Sequence, residues 1–285
     1  REDIREPLIK SQVISYVRNL KEYYDFTIID LTKSEYNEDA FNTDSLTFDL
    51  LGVRRVSGRF RRRNKTILSG LFNLIELVQL LLREARNENV ELVHARSYIP
   101  AVAAWIALRV RAVPFIFDMR ALWIEELIVG GKIKRNLVGH RILHRIEGKL
   151  LCDASAVVSL THIAVKYLHE TYPEELTEQH VTVIPTCADL KRFSPAPARR
   201  RGPVVHSCIG SILSGWFRSD WLAAWLSTAA ERDPDARFEI VTRDDANRVR
   251  VALDPMNMLG DRLTIGARPS EEMPDAVRGH DLSVM

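Results

Sequence analysis

A charge imbalance, a disulfide framework and long apolar runs are all missing from this sequence. Its 285 residues include 40 Lys and Arg against 38 Asp and Glu, so net charge gives no case for nucleic-acid binding. Only three cysteines occur, Cys152, Cys187 and Cys208, and their wide spacing within apolar runs is typical of reduced thiols in a cytoplasmic protein. No run reaches the roughly 18 apolar residues of a membrane-spanning helix.

Three motifs of known chemistry are missing as well. No G-x-G-x-x-G occurs, which argues against a dinucleotide-dependent dehydrogenase. Gly210 and Gly215 have the spacing of a phosphate-binding P-loop, but no Lys-Ser or Lys-Thr follows them. His140 and His144 lie four residues apart on a predicted helix with no third ligand near them, so we expect no metal site.

Short apolar, β-branched runs do occur, and they alternate with longer helical patterns. This alternation predicts an α/β fold with a parallel sheet covered on both faces. The predicted strands are 26–31, 90–94, 113–118, 156–160, 181–185, 204–209, 237–242, 262–265 and 281–285. The predicted helices are 7–20, 69–86, 99–109, 132–151, 161–170, 220–231, 245–259 and 270–278, with Ser219 and Ser270 as expected N-caps.

A proline-rich, basic segment at residues 194–203 divides the alternation into two parts. We therefore predict a first domain at 1–193, a linker at 194–203 and a second domain at 204–285. A doubly wound domain has a strand before its first helix, and a domain usually has about 100–150 residues. On both counts we expect each domain to be incomplete in this chain, and the chain by itself to be inactive.

Several segments resemble one bacterial branch of the family-4 glycosyltransferases. The stretch V-I-P-T-C-A-D-L-K-R-F-S-P at 183–195 is similar to the family's interdomain signature. F-I-F-D-M-R-A-L-W-I-E-E at 115–126 is similar to that branch's F-I-F-D-M-R-G-x-W-x-x-E. P-L-I-K-S-Q-V at 7–13, V-H-A-R-S-Y-I-P at 93–100 and I-G-S-I-L-S-G-W-F at 209–217 fit the same branch, in the same order.

The resemblance implies the GT-B fold, in which two Rossmann-like, doubly wound domains face a cleft. It implies transfer of a sugar from a nucleotide-diphospho-sugar with retention of configuration, and no obligatory metal or other cofactor. The N-terminal domain would bind the acceptor and the C-terminal domain the donor. A glycan or lipid-linked acceptor in surface-polysaccharide synthesis is the expected partner.

Polar residues directly follow two neighbouring predicted strands. Asp118, Arg120, Trp123 and Glu126 follow one strand, where a parallel sheet presents its site. A carboxylate and a guanidinium form hydrogen bonds with sugar hydroxyls, and an indole ring covers the C–H face of the sugar. We therefore expect Asp118, Arg120 and Glu126 to be catalytic and Trp123 to bind the acceptor. The alternative is an ion pair that braces the loop, with Trp123 in the core.

The preceding strand ends in a second polar group. His94, Arg96 and Ser97 should line the same site and bind acceptor. The alternative for His94 is that its ring only satisfies backbone groups at the end of the strand.

Gly210 and Ser211 end the first strand of the second domain. A glycine there lets backbone approach a diphosphate, and the helix N-terminus that follows favours negative charge. The Arg and Lys that many family-4 enzymes carry just beyond this glycine are missing, so Arg218 and Arg243 are the candidate phosphate ligands.

Seven cations between Arg54 and Lys65, with no acid among them, predict a basic loop before an apolar helix. Such a loop binds an anionic membrane surface or an anionic acceptor, with Arg61, Arg62 and Arg63 at its centre. The alternative is a solvated surface. For the whole chain, the alternatives to a transferase are a non-catalytic nucleotide-sugar-binding or scaffold relative, and a sugar-nucleotide epimerase of the same fold.

Overall fold

The computed structural model describes residues 10–33, 48, 51–60, 67–86, 89–176, 181–195, 202–214 and 217–284. The chain divides into two compact units, 1–187 and 188–285. Each unit is an α/β structure whose strands are parallel.

The first unit begins with a π-helical turn, Lys10–Ile14, that continues into a short α-helix. Its strands are β1 Thr27–Lys33, β2 Arg54–Phe60, β3 Val93–Arg96, β4 Phe115–Asp118, β5 Ala156–Ser159 and β6 Val181–Val183. Its helices are α1 Ser15–Leu20, α2 Ile67–Glu84, α3 Tyr98–Leu108, α4 Trp123–Val129, α5 Val138–Asp153 and α6 His162–Thr171.

Strands β3 to β6 form a four-stranded sheet in sequence order, and β1 pairs with β2. Arg96 lies in register with Asp118, so the last residues of β3 and β4 are neighbours. Side chains alternate between the two faces of a strand, which places Ala95 and Phe117 on the buried face. His94, Arg96 and Asp118 consequently share the other face.

Small side chains on α3 allow this helix to lie close to the buried face of the sheet. Four alanines of α3 are fully buried and belong to the main hydrophobic core of the unit, namely Ala101, Ala103, Ala104 and Ala107. The first residue of the helix, Tyr98, packs edge-on against Phe117 near the carboxyl end of β4, at a centroid distance of 5.2 Å.

The second unit contains β7 Val205–Ile209, β8 Arg237–Val241, β9 Leu263–Gly266 and β10 Leu282–Val284, arranged in the order β10-β7-β8-β9. Its helices are α7 Ser219–Arg232, α8 Ala246–Leu253 and α9 Met273–Arg278. Cys208, Phe238 and Ile240 lie on one face of this sheet and pack with Leu222, Leu226 and Val249 of the helices. This face forms a second hydrophobic core.

Some elements were not predicted, and several helix ends differ from the prediction, among them the start of α5 at Val138 rather than at residue 132. Strand β2 and helix α4 occupy segments that were expected to be loops. Helix α7 begins at Ser219 itself, and α9 begins at Met273 rather than near Ser270. Helix α8 ends at Leu253 because the Asp254 carboxylate accepts hydrogen bonds from the backbone of Met258 and Leu259, at 2.7 and 2.9 Å.

The expected basic loop is a strand in its first half. Arg54, Arg55 and Arg59 lie on β2, and the Arg55 guanidinium binds both oxygens of the buried Asp30 at 3.1 and 2.8 Å. Arg54 pairs with Glu84 of α2. The loop prediction is therefore wrong for these three residues, whereas Arg61, Arg62, Arg63 and Lys65 lie outside the described residues.

Among the helices of the described segments, none combines the length and the apolar character needed to cross a membrane.

Candidate functional site

Polar side chains meet at the carboxyl ends of β3 and β4. His94 Nε2 lies 3.2 Å from Asp118 Oδ2, and Arg120 Nη1 lies 3.6 Å from Asp118 Oδ1. The ring of Tyr16, from α1, meets the His94 ring edge-on at a centroid distance of 5.8 Å. The structure thus brings together four of the residues that the sequence singled out. We call this group, together with Gln12, the polar cluster: His94, Arg96, Asp118, Arg120 and Gln12.

Asp118 is the buried centre of the polar cluster. Its residue is 6% exposed, and its Oδ1 atom has no hydrogen-bond partner among the described residues. The ion pair to Arg120 at 3.6 Å exceeds the length of an N–H···O hydrogen bond. Asp118 is therefore held by His94 and by charge attraction to Arg120, and retains capacity to accept another hydrogen bond.

Gln12 is a member of this cluster that the sequence analysis did not select. Its side-chain oxygen accepts hydrogen bonds from Arg96 and, at 3.0 Å, from Arg120. Thr186, after β6, accepts a longer one from Arg120 at 3.4 Å. The only sequence signal was position: Gln12 lies in the S-Q-V segment and Thr186 in the I-P-T-C segment that carry the family resemblance.

Ser97 links β3 to α3 in a strained conformation. Its φ of 73° is in the left-handed region, which residues other than glycine seldom adopt. Its backbone N–H donates to the Asp118 carbonyl at 2.8 Å, which ties the two strand ends together. Backbone strain of this kind is concentrated at functional sites. The backbone conformation of Ser97, rather than a contact of its side chain, therefore supports its predicted place in the site.

Trp123 and Glu126 lie on α4 and take different positions. Trp123 is partly buried, packs against the main core and tilts onto Tyr98 at a centroid distance of 5.3 Å. This is the packing alternative for Trp123. Glu126 is exposed, and no hydrogen bond or ion pair of its side chain joins it to the polar cluster among the described residues.

A buried carboxylate lies behind the site. Glu147 of α5 accepts hydrogen bonds from the hydroxyls of Tyr98 and Tyr172. Burial raises the pKa of the Glu147 carboxyl, and the two tyrosine hydrogen bonds oppose that rise. Burial and the nearby Glu147 likewise raise the pKa of the Tyr98 hydroxyl. Because Tyr98 packs on Trp123, this network fixes the base of the loop that carries Asp118 and Arg120.

The Glu147 network predicts a pH effect on stability. A carboxyl whose pKa is higher in the folded than in the unfolded protein stabilises the fold below the unfolded pKa, and this stabilisation is lost as pH rises through the folded pKa. We expect Glu147→Gln, which cannot ionise, to gain stability relative to wild type as pH rises from about 4 to about 7. Urea unfolding across this range measures the difference.

The exposed Glu174 provides the matched control, since Glu174→Gln removes a solvated carboxylate of the same region. The difference in free energy of unfolding between Glu174→Gln and wild type should not change with pH in the same way. A constant difference between wild type and Glu147→Gln would mean that burial does not perturb Glu147.

In the second unit, Gly210 directly follows β7 with a φ of 150°, a backbone conformation that L-residues seldom adopt. An added Cβ would meet nothing within 4 Å, so the backbone is open to a ligand on this side. The loop is anchored by Asp244, whose carboxylate accepts the Leu213 N–H at 2.9 Å. Ser211 is exposed.

The two arginines predicted to hold phosphate differ in their surroundings. Arg218 is the N-cap residue of α7, binds Asp220 at 2.8 and 2.5 Å and lies over the Trp221 ring at 4.5 Å. Arg243 is exposed, just after β8. Arg218 is thus already engaged, whereas Arg243 is accessible next to the Gly210 turn, since Gly210 N–H donates to Val241 at 3.0 Å.

The paired histidines of α5 contact aromatic neighbours. His140 and His144 have ring centroids 5.8 Å apart, and the His144 ring stacks on Tyr172 at 4.4 Å. In the described part of the chain, no group of three or more His, Cys, Asp and Glu is placed to hold a metal ion.

Two α/β units with parallel sheets define a protein of the GT-B class, and solved GT-B structures superpose on this chain. Residues 13–192 match the profile of Glycosyltransferase Family 4, which is more than half of the chain. The chain belongs to this family.

Three solved structures illustrate the similarity of fold. Anabaena HepE, in complex with UDP and glucose, has a TM-score of 0.62 and 13% identity, over 95% of this chain and 69% of that one. Sucrose-phosphate synthase of Thermosynechococcus elongatus has a TM-score of 0.60 and 14% identity, over 91% of this chain and 75% of that one. The UDP-GlcNAc 2-epimerase of Neisseria meningitidis, bound to UDP-GlcNAc, has a TM-score of 0.52 and 12% identity, over 94% of this chain and 71% of that one.

At these identities the similarity shows the fold alone, and both transferases and epimerases share it. No curated protein sequence matches the chain significantly.

Proposed function

We propose that this protein transfers a sugar from a nucleotide-diphospho-sugar to a glycan or lipid-linked acceptor. Membership of Glycosyltransferase Family 4 carries this proposal. The polar cluster supports it, because it lies at the carboxyl ends of parallel strands, where α/β enzymes bind their substrates. The resemblance of the sequence to retaining enzymes supports retention of configuration.

In this proposal the first unit binds the acceptor. His94 and Arg96 contact acceptor hydroxyls, and Ser97 holds the strand end beside them. Asp118 and Arg120 act at the reacting centre, since they are the buried carboxylate and its partner cation. Trp123 contributes by supporting Tyr98, and Glu126, exposed on α4, remains accessible as a candidate catalytic carboxylate.

The second unit is proposed to bind the donor. Departure of the nucleoside diphosphate concentrates negative charge on its phosphates, and backbone N–H groups and a helix N-terminus stabilise such charge. The Gly210 turn and the start of α7 supply these groups, and Arg243 supplies an accessible cation. UDP in the complexes of fold relatives such as HepE supports a nucleotide-sugar donor.

An exposed apolar patch on α2 supports a peripheral association with the inner face of a membrane. Leu71, Phe72 and Ile75 are 51%, 48% and 44% exposed, and they follow the basic segment along the chain. Apolar side chains next to clustered cations are typical of surfaces that bind anionic lipid. A lipid-linked acceptor in polysaccharide synthesis would be presented at such a surface.

The function is tested by incubating the full-length protein with UDP-glucose, UDP-GlcNAc and GDP-mannose, with and without lipid-linked acceptor extracts. We expect release of nucleoside diphosphate that depends on acceptor, and a product in which the anomeric configuration of the donor is retained in NMR spectra.

Two other outcomes would refute a transferase. Conversion of a nucleotide sugar to its epimer, without release of diphosphate, identifies an epimerase. Saturable binding of a nucleotide sugar without any turnover identifies a non-catalytic relative.

A further inference from the structure

Arg120 is oriented mainly by groups that carry no charge. Its Nη2 donates to the Gln12 side-chain oxygen at 3.0 Å and to the Thr186 hydroxyl at 3.4 Å. Among the described residues its one carboxylate partner is Asp118, at 3.6 Å, beyond hydrogen-bond length. Asp118 is also shared with His94.

The ion pair attracts Arg120 without forming a hydrogen bond, so the guanidinium keeps hydrogen-bonding capacity for a further acceptor, although the side chain is only 20% exposed. A cation that is largely removed from water is costly unless a close anion or a set of hydrogen bonds replaces the water. Gln12 and Thr186 fix the plane of the guanidinium without cancelling its charge. A guanidinium in this state is prepared for an oxyanion, which it matches with two parallel N–H groups.

The identity of residue 12 is decisive in this geometry. Gln12 accepts from both Arg96 and Arg120, although it is 84 and 108 residues away from them in the sequence. A glutamate has the same length and would accept the same two hydrogen bonds, and it would also neutralise charge in the cluster. Glutamine at position 12 therefore keeps both hydrogen bonds to the arginines and leaves the positive charge of the cluster unchanged.

We propose that Arg120, positioned by Gln12 and Thr186, binds an oxyanion of the substrate, phosphate or carboxylate. The oxyanion belongs either to the acceptor or to the diphosphate of the donor, and this choice rests on the proposed function. The binding of an oxyanion at Arg120 does not require turnover.

The test is calorimetric titration of the full-length protein with inorganic phosphate, glucose 1-phosphate and UDP, with glucose as the neutral probe. We expect Gln12→Glu to weaken binding of inorganic phosphate by at least about 10-fold, because the added carboxylate repels the anion at short range. Its unfolding temperature should be unchanged or higher, since both hydrogen bonds become charge-assisted. Arg120→Ala should abolish the same binding.

Gln79→Glu is the matched control, since it makes the same charge change on the exposed face of α2. It should leave every titration unchanged. Equal affinities of wild type and Gln12→Glu for inorganic phosphate, or the absence of saturable phosphate binding to the wild type, would overturn the proposal.

A titration with inorganic phosphate under saturating UDP separates the two sources. Binding that persists and still depends on Gln12 assigns the oxyanion to the acceptor, and binding that UDP eliminates assigns it to the donor. Because these measurements need no catalysis, an inactive protein that keeps Gln12-sensitive binding refutes only the transferase. An active transferase indifferent to Gln12→Glu refutes only the oxyanion site.

Discussion

In the full-length protein, Asp118→Asn and Arg120→Ala are each expected to lower kcat/KM by about 100-fold or more, with the fold intact. Asp118 is buried between His94 and Arg120, so an amide in its place removes the negative charge that attracts Arg120. Arg120→Ala removes the cation that Gln12 and Thr186 orient. Steady-state kinetics, with the donor and acceptor that the activity assay proposed above identifies, measure both losses of kcat/KM.

The same unit offers a matched pair of controls. Arg109, just after α3, and Asp153, the last residue of α5, form an ion pair of 2.9 Å away from the polar cluster. Asp153→Asn and Arg109→Ala should leave kcat/KM close to the wild-type value. If Asp118→Asn and Arg120→Ala were equally harmless, the Asp118–Arg120 pair would only brace the loop.

Changing Arg61, Arg62 and Arg63 to Gln is expected to weaken binding to anionic vesicles by about 100-fold. Each cation close to an anionic surface contributes about 1 kcal/mol, and a loss of about 3 kcal/mol corresponds to that factor. Binding to neutral vesicles should hardly change, and high salt should weaken the wild-type attachment because it screens the attraction. Vesicle co-sedimentation at low and high salt measures these differences.

A stripe of cations on α5 provides the control for net charge. Arg141, Arg145 and Lys149 are exposed and lie four residues apart. Changing all three to Gln alters the net charge by the same amount and should leave vesicle binding intact. Equal loss in the two triple variants would indicate a general charge effect, and wild-type binding that ignores lipid charge would leave the basic segment as a solvated surface.

The correction at β2 sharpens this second prediction. Arg55 is committed to Asp30 and Arg54 to Glu84, so these two cations serve the fold. The membrane proposal therefore depends on the arginines at 61–63 and on the exposed apolar patch of α2, rather than on the whole run of seven cations.

Strand β2 escaped sequence analysis for a physical reason. Its sequence, R-R-V-S-G-R-F, lacks the continuous apolar run by which buried parallel strands are recognised. It is a strand because β1 offers a parallel edge and because Asp30 compensates Arg55. Gly58 allows β2 to pack closely at this position, since a Cβ there would come within 2.8 Å of the side chains of Leu31 and Leu80.

The sequence by itself determined the class of fold and the family. Periodicity is a local property, so the alternation of strands and helices could be recognised and most strands lie within a few residues of their predicted ends. The same alternation predicts that the residues after two neighbouring parallel strands lie at one edge of the sheet, and Arg96 and Asp118 are paired there. The motifs around Asp118 and Ile184 then indicated the glycosyltransferase family, which the family match confirms.

Only the tertiary structure decided which side chains meet. Gln12 contacts arginines 84 and 108 residues away, and no local pattern encodes a contact of that separation. Trp123 is drawn into the core by Tyr98, and Arg218 is taken up by Asp220 and Trp221. A residue's type limits what chemistry it can perform, but its neighbours decide whether its charge is neutralised or remains available to a ligand.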